Sequence, residues 1–375
     1  MRVLESESGS HRGARRPDFS ANVRFYGLAI AGLVLFPFVI HPIGGYAALA
    51  TQILIVSIGT MGLNLLLGYA GLLSYGQAMF YGVGAYMALL TVSKFFPDHP
   101  NFWLALAIAI GFVTLAALVI GSLVVRLYGI YFSLLTLAFA QMFFFVVFKW
   151  RDLTQGDDGI SGISIPSVPL GFTSIDLTTA LPSVDLGIFG NLSDVRYWYV
   201  FVAIVAFLVL AFIRTLTTSQ FGEVLGAIRE NEERSTFVGY EPARYKLAAF
   251  TIAGALTGLS GALRGMFDTS ISPDSLTVET SGNFVIFAVV GGVKTLLGPF
   301  LGTTIILYLQ NVLSAKTESW RLIEGVIFVL VIVFLPGGIL GSFRKRKQSR
   351  AILAGSIRTG NAADATRPTP DGATP

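Results

Sequence analysis

The sequence predicts an all-α, polytopic helical membrane protein of about ten spans. Three observations carry that prediction. Of 375 residues, 53% are hydrophobic and only 13% charged. The apolar residues fall into runs of roughly 20, the length that crosses a hydrocarbon core about 30 Å thick at about 1.5 Å per residue. Lys and Arg collect in the gaps between runs and in the two tails. A soluble domain needs a charged surface that this chain lacks, so a bilayer is its main solvent. The net charge of +4 therefore speaks of membrane orientation rather than of nucleic acid. With no Cys, and with His11, His41 and His99 scattered, no disulfide, thiol nucleophile, metal site or catalytic residue is expected.

Taken in order, the runs are Phe25 to Ile43, Tyr46 to Leu67, Ala70 to Val92, Asn101 to Val125 and Gly129 to Phe148. They continue as Tyr197 to Ile213, Leu247 to Leu263, Asn283 to Val293, Thr295 to Leu313 and Leu322 to Leu335. The first could be a secretory signal, since Arg12, Arg15 and Arg16 precede it and Ala48-Leu49-Ala50 resembles a cleavage site. Its span length and the many spans that follow favour an uncleaved helix. The eighth is too short to cross alone and ends in Gly291 and Gly292. Either it lines a hydrated pathway as an interrupted segment, or it is an ordinary tilted helix that begins nearer Glu279.

Basic residues resist translocation, so alternating the loops separates the two sides. Arg12, Arg24, Arg126, the cluster from Arg214 to Lys246, Lys294 and the run from Arg344 to Arg350 fall on one side, read as the cytoplasm. Lys94, Lys149, Arg151, Arg196, Arg264, Lys316 and Arg321 fall on the other. Both termini are then cytoplasmic. The predicted organisation is a basic tail over 1–24, a transmembrane domain over 25–342, and a basic, disordered tail over 343–375. Within the domain, residues 150–196 form an external loop rich in Gly, Pro, Ser and Asp, either a cap or docking surface or a plain connection. Residues 214–246 form the largest cytoplasmic loop.

Enzyme signatures are missing: there is no phosphate-binding Walker loop, no HExxH and no Gly-x-Ser-x-Gly elbow. The Gly-rich stretch from Gly68 to Tyr86 follows an apolar helix rather than a strand, against a dinucleotide site. Ion-coupled carriers keep ionisable groups at mid-membrane, and the runs hold almost none. Only Glu324, Arg264 and Lys294 lie near their ends. The driving force is thus expected to enter from outside the bilayer. The cytoplasmic loop offers a place for it: Phe221, Val224, Leu225 and Ile228 form an i, i+3, i+4, i+7 stripe, and the opposite face is charged. Glu230 and Arg234 sit i, i+4, and Gly239 with Pro242 supplies a stop. Such a helix suits a groove on a soluble partner, or else the membrane interface. Small residues four apart, Gly254, Gly258 and Ala262, with Gly261/Gly265 and Gly298/Gly302, predict close helix contacts.

Six stretches together resemble one family, the LivM-type permease subunits of branched-chain amino-acid ABC importers. They are GLNLLLGYAGLLSYGQAMFYGVGAY (62–86), GIYFSLLTLAFAQM (129–142), GDDGISGI (156–163), AIRENEERSTFVGYEPARYKLAAF (227–250), VGGVKTLLGPFLG (290–302) and FLPGGILG (334–341). The resemblance runs from about Tyr46 to Leu340. It implies a second homologous permease, two cytosolic ATP-binding subunits that bind and hydrolyse the ATP, and an external solute-binding protein; no cofactor resides in this chain. It also implies a coupling helix that contacts the ATPase, carried onto Gly222, Glu223, Leu225, Ile228, Arg229, Glu230, Glu233 and Gly239. Two departures stand out: Gln77 where members commonly carry His, and Lys294 where a small residue is usual. The implied cargo is leucine, isoleucine or valine, with urea or short amides as the alternative within the family. An ion-coupled carrier and a non-transporting scaffold are the rival classes. A zwitterion with an apolar side chain asks for aromatics mixed with hydroxyls and amides, which makes Ser74, Tyr75, Gln77, Phe80 and Tyr81 candidates for the path.

Overall fold

The structure, a computed structural model, describes residues 19–41, 45–170, 173–179, 196–334 and 337–341. The expected basic tails and the centre of the 150–196 loop lie largely outside the described residues. Six helices are long and apolar enough to cross a membrane. These are α2 (Ala47–Asn64, extended by a π turn to Ala70), α3 (Gln77–Leu90, extended to Phe95), α4 (Phe102–Val124), α5 (Ile130–Lys149), α7 (Tyr197–Thr218) and α10 (Pro242–Asp268). Around them lie α1 (Phe19–Ile40), α11 (Val278–Gly291), α12 (Gly298–Ser314) and α13 (Trp320–Phe334). Three short α-helices, α6 (Arg151–Thr154), α8 (Gln220–Glu230) and α9 (Glu232–Phe237), and two 3-10 turns, Gly156–Asp158 and Pro273–Leu276, lie in the connections. One small hairpin, β1 (Val168–Leu170) against β2 (Thr173–Ile175), is the sole sheet among the described residues. The chain is thus a polytopic helical bundle whose two ends are marked by α8 and by the hairpin.

Helix α10 is the axis of the bundle and packs against α2, α3 and α4. Its small-residue ridge makes this possible, because lipid supplies no hydrophobic force between helices and close backbone contact must do the work. A Cβ on Gly254 would stand 2.6 Å from that of Ala117 on α4. One on Gly261 would run into the backbone of Tyr81 on α3. Aromatic rings fill the gaps: Phe80 meets Phe250 edge-on at 5.5 Å, and Phe250 meets Phe132 of α5 at 6.0 Å. Helices α11 and α12 pack together, and α12 also lies on α2. Here Gly302 faces the backbone of Phe287 as closely as Gly261 faces Tyr81.

Local sequence explains the ends. Asn101 caps α4, its Oδ1 accepting from the amides of Trp103 (2.9 Å) and Leu104 (3.3 Å). Gly71, at φ +72°, lets the chain leave α2 in a left-handed turn. The run expected from Ala70 to Val92 is therefore not one helix: residues 71–76 are irregular and α3 starts only at Gln77. The apolar Leu72 and Leu73 hide this break in the sequence. Helix α11 is 14 residues long, about 21 Å by its rise, so it begins near Glu279 yet stays short of a span.

Candidate translocation path and coupling segment

Irregular backbone inside a membrane bundle must find partners within the protein. Over residues 71–76 it does. The Ser133 hydroxyl donates to the Leu73 carbonyl (2.6 Å), the Tyr75 amide donates to Thr136 Oγ1 (3.2 Å), and the Gly76 amide donates to Ser74 Oγ (3.2 Å). The start of α3 then meets the start of α11, where the Ala78 amide donates to Ser281 Oγ (3.0 Å). Two interrupted segments therefore join inside the bundle. Gln77 is fully buried there; its Oε1 accepts from Thr257 Oγ1 of α10 (2.7 Å), while its Nε2 has no partner.

The hairpin end of the bundle holds an open cavity of ≈ 560 Å³. Tyr81, Phe284 and Phe287 form an aromatic row along it, with centroids 5.4 and 6.3 Å apart. Arg264 and Asp268, one turn apart at the end of α10, pair across Nε and Oδ2 in the same cavity. Of the five path candidates, Tyr81 alone lines this cavity. Ser74 and Gln77 are engaged in the bonds above, Phe80 is packed on Phe250, and Tyr75 is half-buried against the Phe284–Val290 cluster. Sequence reasoning placed Arg264 at a span end on the external side without giving it a role, and passed over Asp268 and the α11 aromatics. The available signal was an i, i+4 charge pair closing an otherwise apolar helix.

At the other end, α8 and α9 fold back on the bundle. The stripe of α8 faces inward: Leu225 is fully buried, Val224 and Ile228 nearly so, against α10 and the π turn of α2. These residues hold the segment to its own chain and are not offered to a partner groove. Gly222 is buried against the backbone of Thr217, while Glu223, Arg229, Glu230, Glu233 and Gly239 are exposed. The helix breaks at extended Asn231, which caps α9 through Arg234 N (2.8 Å), so Glu230 and Arg234 do not share a helix face. No ion pair joins them among the described residues. Two other contacts anchor the segment. The Arg229 guanidinium donates to the Gly68 carbonyl at the end of α2, where a cation also meets the negative helix terminus. Lys246 of α10, 4% exposed, pairs with Glu232 of α9. At the end of α9, Phe237 (89% exposed) and Val238 (71%) form the apolar tip, beside a cleft lined by Phe221, Gly239, Tyr240 and Tyr245. Asn64 ties the same end to the α11–α12 turn through Thr295 O (2.9 Å) and Lys294 N (3.2 Å). Lys294 has φ +68°, a left-handed conformation that suits a glycine better, so the departure noted there carries backbone strain.

A multi-pass bundle with interrupted helices meeting at its centre, a polar and aromatic cavity at one end and a folded segment at the other, is a membrane permease. The family described as branched-chain amino acid transport system permease component matches residues 45–335, and the chain belongs to that family. The high-affinity branched-chain amino acid permease protein LivM of Salmonella typhimurium is 29% identical over 316 residues, 82% of this chain and 72% of the relative. LivM of Escherichia coli K12 is 28% identical over 315 residues with the same coverage. LivH, a permease protein of the E. coli system, is 23% identical over 294 residues, 75% of this chain and 89% of its own length. No solved structure matches the chain significantly.

Proposed function

We propose that this permease is the membrane subunit of an ATP-driven importer that moves leucine, isoleucine or valine across the inner membrane by alternating access. Its partners are a second homologous permease, two cytosolic ATP-binding subunits and an external solute-binding protein. The α8 end, with both termini, faces the cytoplasm. The observation that carries the reading is the double tether of the α8–α9 segment. Arg229 fixes it to α2, and Lys246 with Glu232 fixes it to α10, the two helices that pack on each other along the bundle. A push on α8–α9 thus reaches both, and they run on to the cavity lined by Val56 of α2 and Arg264 of α10. Because the α8 stripe is buried in its own chain, the partner surface is the exposed face of α8–α9 with Phe237 and Val238. Bistable packing would convert that push into exposure of the path at one side or the other.

The test is uptake of leucine by vesicles carrying the complete complex. ATP, and not an imposed ion gradient, should drive accumulation. Phe237→Asp with Val238→Asp should release the ATPase subunits while the permease still inserts. Arg229→Gln should keep the subunits bound and hydrolysing ATP but lower uptake by about tenfold, the worth of a charged hydrogen bond. Unchanged uptake in both variants, or accumulation by the isolated chain under an ion gradient alone, would sink this reading.

A further inference from the structure

We infer that the cavity at the hairpin end is a binding site for a zwitterionic α-amino acid with an apolar side chain, occupied on the way through the membrane. The inference rests on the import reading above and assigns it a place. The volume of ≈ 560 Å³ lies within the roughly 300–1,000 Å³ usual for small-molecule sites. Its wall is divided in chemistry. Tyr81, Phe284 and Phe287 belong to one continuous apolar cluster, to which Leu307 also packs, and this is the surface a branched side chain needs. Beside that cluster stand Arg264, Asp158, Asp268 and Asp274.

The lining carries both signs of charge, one guanidinium and three carboxylates, so each end of a zwitterion finds a partner. Arg264 hydrogen-bonds Asp268 through Nε and no other described residue, so its two terminal nitrogens remain to grip a carboxylate in the bidentate manner. Asp268 uses Oδ2 for that bond, which leaves Oδ1, together with Asp274, for an ammonium. Arg264 and Asp268 are 25% and 29% exposed, mostly enclosed yet within reach of a solute. Gln310 adds a neutral acceptor: its Nε2 is taken by the buried Glu324 (2.8 Å), and its Oε1 has no described donor. A monoanion would meet three aspartates, and a monocation would bring no carboxylate to the terminal nitrogens of Arg264. Urea or a short amide would need neither the ion pair nor the aromatic row.

The experiment is equilibrium binding of tritiated leucine to the complete complex in nanodiscs without the external binding protein, paired with ATP-driven uptake in vesicles. Leucine should bind saturably. Valine should compete, while urea, isocaproate (no amine) and isoamylamine (no carboxylate) should not. Arg264→Gln should weaken leucine by about tenfold or more, with partial rescue by Arg264→Lys. Leu307→Trp should fill the cavity and remove binding while every charge stays in place. Should Arg264→Gln fail to assemble, Leu307→Trp decides. If the parent complex takes up leucine and both variants bind and transport like it, this inference falls and the import reading stands. A parent complex that takes up urea but not leucine overturns both.

Discussion

Helices α2, α3 and α10 are buried over 89%, 78% and 67% of their apolar windows, whereas α4, α5 and α7 are buried over only 39%, 28% and 28%. The buried set is the less apolar of the two. It carries Ser57, Thr60 and Asn64 on α2, Gln77 on α3, and Thr257 and Ser260 on α10, all nearly inaccessible. The peripheral set turns Leu115, Val119, Leu134 and Leu208 outward. In water this would be inside out. In a bilayer, lipid is as apolar as leucine, so apolar side chains gain nothing by hiding, and helices bury what can hydrogen-bond or approach closely. The difference separates the packed interior of this permease from its outward-facing apolar shell, and substitutions of graded severity can break or sharpen it.

The largest effect is expected at Gly261. Its Cβ position is occupied by the backbone of Tyr81, which cannot step aside as a side chain could. Gly261→Leu should cost more than about 3 kcal/mol, the upper end for overpacking, and should appear as loss of monodisperse protein after extraction. Next comes Lys246. Removing it as Lys246→Met strands a partly buried Glu232, at a cost of about 1 to 3 kcal/mol once the exposure of that carboxylate is allowed for. Adding Glu232→Gln should restore most of the loss, a coupling that a double-mutant cycle of reversible unfolding in mixed micelles measures directly. Additive losses would show that the pair does not bind α9 to α10.

How far the residues announced all this differs between the same two regions. The apolar runs of α4, α5 and α7 gave their boundaries to within a few residues, because every position facing lipid must be apolar and the ends are polar. The ridge of Gly254, Gly258 and Ala262 was also legible, and so was the shortness of α11. The break before Gln77 was not, since Leu72 and Leu73 keep the run apolar while the irregular backbone is satisfied by Ser133 and Thr136, some 60 positions away. The cavity was illegible for a related reason: Val56, Tyr81, Arg264, Phe284 and Leu307 come from five helices. At α8 the periodicity gave the stripe but not what it packs on, because a helix laid on its own bundle and one laid in a partner's groove need the same spacing.

Two milder substitutions complete the comparison from opposite sides. Thr257→Val on α10 removes the hydroxyl that donates to Gln77 Oε1 and leaves a fully buried amide with neither of its groups bonded. Interhelical hydrogen bonds in membranes average about 0.6 kcal/mol and reach about 1.7, and the second orphan places this one toward the higher value. Leu208→Val on α7 removes one methylene from a side chain that is 59% exposed toward lipid. It should change the unfolding free energy by less than about 0.5 kcal/mol, as surface substitutions do. Equal costs at the two positions, measured in the same micelles, would mean that the Thr257–Gln77 bond adds nothing to the packing of α10 on α3.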